Sequence, residues 1–172
     1  MNLMFDCAVL PAELPPGFQA VAGYWGGPAA YRTWTDDDWA RTGGLKRLPI
    51  WVPAVNAAAA AAREEVLQIL SLILHYDVPR GVTIAFDVET SQADQSYLEM
   101  MSQCLQHFGY GTIVYGSAFS VFTETGNLWK WPADWTGSPH MYDGPQVQAT
   151  QYASSSAYDS SVISDLLLTT LW

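Results

Sequence analysis

The chain has 172 residues, 49% of them hydrophobic, with 17 acidic against 7 basic residues for a formal charge of −10. That length suits one domain with a sizeable core, and the hydrophobic content excludes a disordered chain. The bases are scattered, with no Lys/Arg cluster to follow a phosphate backbone or an anionic bilayer, so neither nucleic acid nor a membrane is an expected partner.

Taken in order, Asn2-Leu3-Met4-Phe5-Asp6 reads as a strand running into an acid, followed by a proline-interrupted loop to Pro16. The first basic residue is Arg32, so no secretory signal is expected. A second strand over 18–24 ends in Trp25-Gly26-Gly27, and Thr35 followed by Asp36-Asp37-Asp38 is an N-cap with an acidic first turn. A third strand covers 48–52 and stops at Pro53. The alanine-rich stretch 57–76 is the clearest helix, with Val66, Ile69, Leu70, Ile73 and Leu74 at helical spacing. Its apolar run 66–74 is too short to span a bilayer. A fourth strand covers 82–88, a helix 93–108 ends at Gly109, and a fifth strand covers 112–115.

This order, strand and helix in turn, predicts a parallel sheet with crossover helices, and the fold class expected is an α/β, TIM-like β/α barrel forming one domain over 1–172. Beyond residue 117 the pattern degrades. Strands are expected over 128–131 and 146–152 with no strong helix between them, so the barrel is expected to be short and incomplete in its C-terminal half. The segment 162–172, from Val162 to Trp172, is apolar enough to be a closing helix or a docking strip for a second copy or another partner.

The fourth strand carries the chemistry. Asp87 and Glu89 stand two apart, and in a strand such residues share a face, roughly 7 Å apart at the backbone. Of two acids at the end of a buried strand, one stays ionised while the other is pushed toward its neutral form, and a general acid is made that way. The competing reading is a pair of acids at the start of the next helix, capped by Thr90 or Ser91. In a β/α barrel, function collects where strands end. Here those ends are Asp6, Tyr24 and Trp25, Trp51, Asp87 and Glu89, Tyr115, Trp129 and Trp131, Gln151 and Tyr152. Flat aromatic faces beside carboxylates suit a neutral polar ligand with apolar faces, such as a sugar. Trp34 and Trp39 are assigned to the core.

With these residues in place, the chain resembles the glycoside hydrolase family 25 lysozymes and the related glycoside-hydrolase-like domains of unknown function found in actinobacteria and their phages. The resemblance is carried by the acid ending strand one, the D-x-E ending strand four, the Gly-Tyr-Gly-Thr-Ile-Val-Tyr-Gly stretch at 109–116, and a late tryptophan followed by Gln151-Tyr152. It implies that Glu89 is the proton donor to the glycosidic oxygen, that Asp87 orients and stabilises the substrate's acetamido group, and that Asp6 lies in the site floor. The family's further acid near the C-terminus falls on Asp159, with Asp165 as the alternative. Two features depart from the family: the chain is short, and its first strand reads Phe-Asp-Cys-Ala where the lysozymes usually have Ile-Asp-Val-Ser.

Other chemistries lack their patterns. His75, His107 and His140 show no paired ligand spacing, and there is no G-x-S-x-G, Walker loop or complete G-x-G-x-x-G. Asp6, Asp87 and Glu89 together offer oxygens that suit a divalent cation, as an alternative use of the same acids. The expectation is no metal and no cofactor. Cys7 and Cys104 are far apart and expected as free thiols, with one long-range disulfide as the alternative.

The leading expectation is therefore a muramidase-type hydrolase of cell-wall peptidoglycan. Glu89 is its general acid, with a pKa raised to ~6. Trp25, Trp51, Tyr115, Trp129, Gln151 and Tyr152 line its sugar subsites. The alternative is a glycan-binding or structural barrel that does not cleave, such as a phage tail component. The setting expected is a phage virion, or release from the host cytoplasm, with action at the bacterial cell wall.

Overall fold

A computed structural model describes residues 1–54, 59–88 and 94–172. Within them eight strands join edge to edge in chain order and close into a barrel: β1 (Asn2–Asp6), β2 (Ala20–Gly26), β3 (Lys46–Trp51), β4 (Thr83–Asp87), β5 (Gly111–Ser117), β6 (Trp129–Ala133), β7 (Ala149–Ser154) and β8 (Asp159–Ile163). Neighbours from β1 to β7 are parallel, and β8 runs antiparallel to both β7 and β1. Helices α1 (Asp36–Arg41), α2 (Ala59–His75), α3 (Gln95–His107) and α4 (Ala118–Glu124) occupy the connections from β2 to β6, and α5 (Asp165–Thr169) follows β8. Among the described residues, no helix is long and apolar enough to cross a membrane.

The local causes are those the sequence displays. The Thr35 hydroxyl accepts the Asp38 N–H at 3.2 Å while the Asp38 carboxylate accepts the Thr35 N–H at 2.9 Å, a reciprocal cap that starts α1. Asp94 caps α3 by accepting the Ser96 N–H at 2.8 Å. Gly109, at φ +91, ends α3 in the left-handed conformation that a side chain disfavours. Helix α2 buries Val66, Ile69 and Ile73 but turns Leu67 and Leu74 outward. Its expected start at residue 57 lies outside the described residues.

The C-terminal half differs from expectation in where it is short. Its strands complete the circle, and the helical layer is what runs out: β6 reaches β7 through a loop, and β7 turns into β8 as a hairpin. Strand β8 escaped the sequence reading because it reads Asp-Ser-Ser-Val-Ile, polar at the end that reaches the barrel mouth. Apolar alternation, the main strand signal, is missing there.

Register decides which side chains enter the barrel, because partnered residues share a face. Met4 pairs with Ala20, Asp6 with Ala22, Tyr24 with Ile50, Ile50 with Ala85, Asp87 with Tyr115, Tyr115 with Trp131, and Ala133 with Gln151. That chain of partners is the inward set, apolar below and polar above. Their sequence neighbours Phe5, Val21, Trp25, Trp51, Phe86 and Val114 face out beneath the helices and loops, and are buried there.

The segment 162–172 closes the opposite end. Arg47 and Trp172 exchange backbone hydrogen bonds at 2.8 and 3.1 Å, and the Thr83 N–H donates to the Thr170 carbonyl at 2.9 Å. Leu167 and Leu171 are buried, the Trp172 ring packs against Trp25, Trp39 and Tyr76, and the Arg47 guanidinium sits 4.9 Å over it. Of the expected docking strip, Leu166 is the large apolar side chain left exposed, at 52%.

Candidate active site

Parallel strands deliver their C-terminal ends to one rim, whereas β8, running the other way, delivers its first residue. A strand-ending Asp6 and a strand-starting Asp159 thus become directly opposed partners. Opposed residues in an antiparallel pair have Cα atoms about 4.5–5.5 Å apart, and like charges there cost stability. Folding alone gives no reason to place two acids so. Asp87 ends β4 on the same inward face, buried, and accepts a hydrogen bond from the Tyr24 hydroxyl at 3.3 Å.

Asp6 and Asp159 line a cavity of about 260 Å³, together with Cys7, Tyr24, Tyr31, Tyr115 and the hairpin residues Ser155 to Tyr158. No Lys, Arg or His is among its described lining residues. Tyr115 donates to Gln151 Oε1 at 2.9 Å, the Trp135 indole N–H donates to the same oxygen at 2.6 Å, and Gln151 Nε2 donates to Asp159 Oδ2 at 3.2 Å. Beneath them Trp131 plugs the barrel, its ring 4.7 Å from Tyr115 and its N–H donating to Ser161 Oγ at 3.0 Å.

The chemistry available is that of a small, acid-walled pocket with tyrosine hydroxyls. Its negative field favours a group that develops positive charge. Among the described residues, no cluster of three or more His, Cys, Asp or Glu is placed to hold a metal.

The sequence matches no family model and no curated protein. Solved structures do match. An uncharacterised Bacillus stearothermophilus protein covers all of both chains at 15% identity, with a TM-score of 0.78. GHIP, a family 25 glycosyl hydrolase of Streptococcus pneumoniae described as a virulence factor in host-cell invasion, matches at 12% identity and TM-score 0.65, over 98% of this chain and 90% of its own. The modular Cpl-1 endolysin, solved with a peptidoglycan analogue, matches at 14% identity and TM-score 0.69 over 94% of this chain, which spans 54% of Cpl-1.

The fold is that of the family 25 glycoside hydrolases. At such identities the likeness speaks for the fold alone.

Of the residues singled out from the sequence, the structure brings Asp6, Asp87, Tyr115, Gln151 and Asp159 together at the mouth. Glu89, with Thr90 and Ser91, lies outside the described residues. Asp165 does not reach the cavity: it opens α5, beyond the far end of β8, and accepts from Asn2 Nδ2 at 2.7 Å.

Four of the aromatics expected to line sugar subsites lie away from this cavity. Trp25 is on the outward face of β2, stacked on Tyr76 at 5.8 Å and 12°. Trp51 is outward too, its indole donating to buried Glu65 at 2.7 Å. Trp129 begins β6 and so lies at the opposite end of the barrel from the mouth, and Tyr152 is outward on β7 next to inward Gln151.

Tyr31, Trp135 and the hairpin 155–158 were missed, as loop residues without a periodic signal. Tyr24 was available: Ala20 and Ala22 mark the inward parity on which it falls, one residue from the Trp25 chosen.

Cys7 lines the cavity as a free thiol, and Cys104 is also free. Burial, then the charges of Asp6, Asp38 and Asp159, push the Cys7 thiol up to about 12. At pH 8 its thiolate fraction is then about one in ten thousand. Iodoacetamide at pH 8 should leave Cys7 unmodified in the native protein and label it after unfolding. Rapid native labelling, read by peptide mass spectrometry, contradicts this environment.

Proposed function

We propose that this protein is a glycan hydrolase of the muramidase type, cleaving glycosidic bonds of bacterial cell-wall peptidoglycan with Glu89 as general acid. The observation that carries the reading is the meeting of Asp6 and Asp159 at a cavity with no cationic residue in its described lining, backed by Asp87 bonded to the lining Tyr24, in a barrel with the family 25 fold. Glycoside cleavage passes through an oxocarbenium-like transition state, and carboxylates around the sugar ring stabilise that positive charge. Asp87 ends β4, and Val88 still follows β5, its N–H donating to the Tyr115 carbonyl at 3.0 Å. Glu89 comes next in the chain. In this reading it protonates the leaving oxygen, while Asp87, held by Tyr24, orients the acetamido group of the substrate.

The proposed setting is the bacterial cell wall, reached from a phage particle or after release from the host cytoplasm. A docking role for 162–172 is not part of it, since that segment is spent on closing the barrel.

One observation favours a second reading, a barrel that binds glycan without cleaving it. The cavity of about 260 Å³ falls below the range usual for ligand clefts, about 300–1,000 Å³. Digestion of purified peptidoglycan separates the two. Soluble fragments with new muramic-acid reducing ends are expected. Retention of chitooligosaccharide or muropeptide without product over days supports the binding barrel, and neither cleavage nor binding overturns both.

A further inference from the structure

A glutamine side chain has an acceptor end and a donor end of nearly the same shape, so its neighbours decide how it points. Gln151 is fully buried and cannot settle the matter with water. Its Oε1 receives the Trp135 indole N–H at 2.6 Å and the Tyr115 hydroxyl at 2.9 Å. An indole N–H can only donate, so the acceptor end must face Trp135. The donor end is thereby turned onto Asp159, whose Oδ2 accepts from Nε2 at 3.2 Å.

We propose that Gln151 is a positioning residue: locked by Trp135 and Tyr115, it fixes the Asp159 carboxylate at the cavity without neutralising it. The inference rests on reading this cavity as the hydrolase site. An arginine or lysine would hold Asp159 as well, but would cancel the negative field that a positively charged transition state needs. An amide supplies the donor and leaves the net charge in place. Among the described residues, the groups that share this environment are acids and weak acids: Asp6 across from Asp159 on β1, Cys7 after it, Tyr24 on β2, Tyr31 in the loop after β2, Asp87 on β4, Tyr115 on β5 and Tyr158 in the hairpin. Arg32 acts on Cys7 through space from outside the lining. Trp135 is 67% exposed, so the lock starts at the surface and ends on a cavity carboxylate.

The variants Gln151→Glu, Gln151→Met and Trp135→Phe test this. Gln151→Glu keeps an acceptor for Trp135 and Tyr115 but turns a second carboxylate oxygen on Asp159, and two acids about 3 Å apart cannot both ionise. The acid limb of the kcat/KM–pH profile on peptidoglycan fragments should move up by about one unit or more. The carboxyl-carbon NMR titration of Asp159 should move with it. Gln151→Met, which removes the donor without adding charge, should give a smaller movement in the same direction. Trp135→Phe keeps an exposed ring and frees the amide to turn, lowering kcat roughly two- to tenfold with KM little changed.

If the variants melt like the wild type and leave both the limb and the Asp159 titration unmoved, Gln151 is a core filler and the proposal falls. Should Gln151→Glu fail to fold, Trp135→Phe decides by the same Asp159 titration. That titration needs no turnover. If it moves while the Glu89→Gln variant cleaves like the wild type, the positioning stands and the general-acid reading falls.

Discussion

Glu89→Gln is expected to cut turnover on purified peptidoglycan by at least two orders of magnitude, with fold and glycan binding intact. General-acid catalysis contributes about 10²–10⁴, and glutamine keeps the shape and hydrogen-bonding reach of the acid while having no proton to give. Asp87, two residues before Glu89 in the sequence, is buried on the inward face of β4, and a negative charge near an acid favours that acid's protonated form. A general acid works only while it holds its proton, so the wild-type rate should fall as pH rises through the pKa of Glu89. The variant should lack that alkaline limb altogether, which a merely destabilised protein would not show. The measurement is reducing-end release against pH for both proteins, alongside their melting curves. Equal release by the two removes Glu89 from the mechanism.

How far the sequence disclosed this site depended on which kind of signal each residue carried. Acids at strand ends were legible because a carboxylate closing an apolar run is conspicuous, and Asp6 and Asp87 stand at the ends of β1 and β4 as read. The aromatics were not legible in the same way. Whether a strand-end tryptophan lines the mouth or packs beneath a helix turns on one residue of parity, and the sheet register sets that parity. Tyr24 and Trp25 are adjacent, yet one bonds to Asp87 and the other stacks on Tyr76. The register also shifts between Tyr24 and Gly26, an irregularity that no side-chain pattern announces. Strand β8 failed for the opposite reason. Its inward residues at the mouth are polar, and a strand end of that kind imitates a loop. Asp159 was placed through the family resemblance, and its antiparallel strand explains how it arrives opposite Asp6.

Removing residues 165–172 is expected to cost the fold much of its stability. The deletion keeps β8 whole, since that strand ends at Ile163, but takes away α5 and the closing turn. Leu167 and Leu171 are buried, and each buried leucine is worth about 1.5–3 kcal/mol, so the pair accounts for roughly 3–6 kcal/mol. Ordinary domains hold about 5–15 kcal/mol in all. The loss also opens the backbone bonds between Trp172 and Arg47 and between Thr170 and Thr83, and uncovers the faces of Trp25, Trp39 and Tyr76 that Trp172 covers. For a chain of this size each kcal/mol lowers Tm by about 2–4 °C, so a fall on the order of 10–20 °C is expected by circular dichroism. Newly exposed tryptophan faces should bring dye binding and aggregation with it. A truncated chain that melts within about 2 °C of the intact one, yet loses an oligomer the intact one forms, would make the segment a docking surface and not the floor of the barrel.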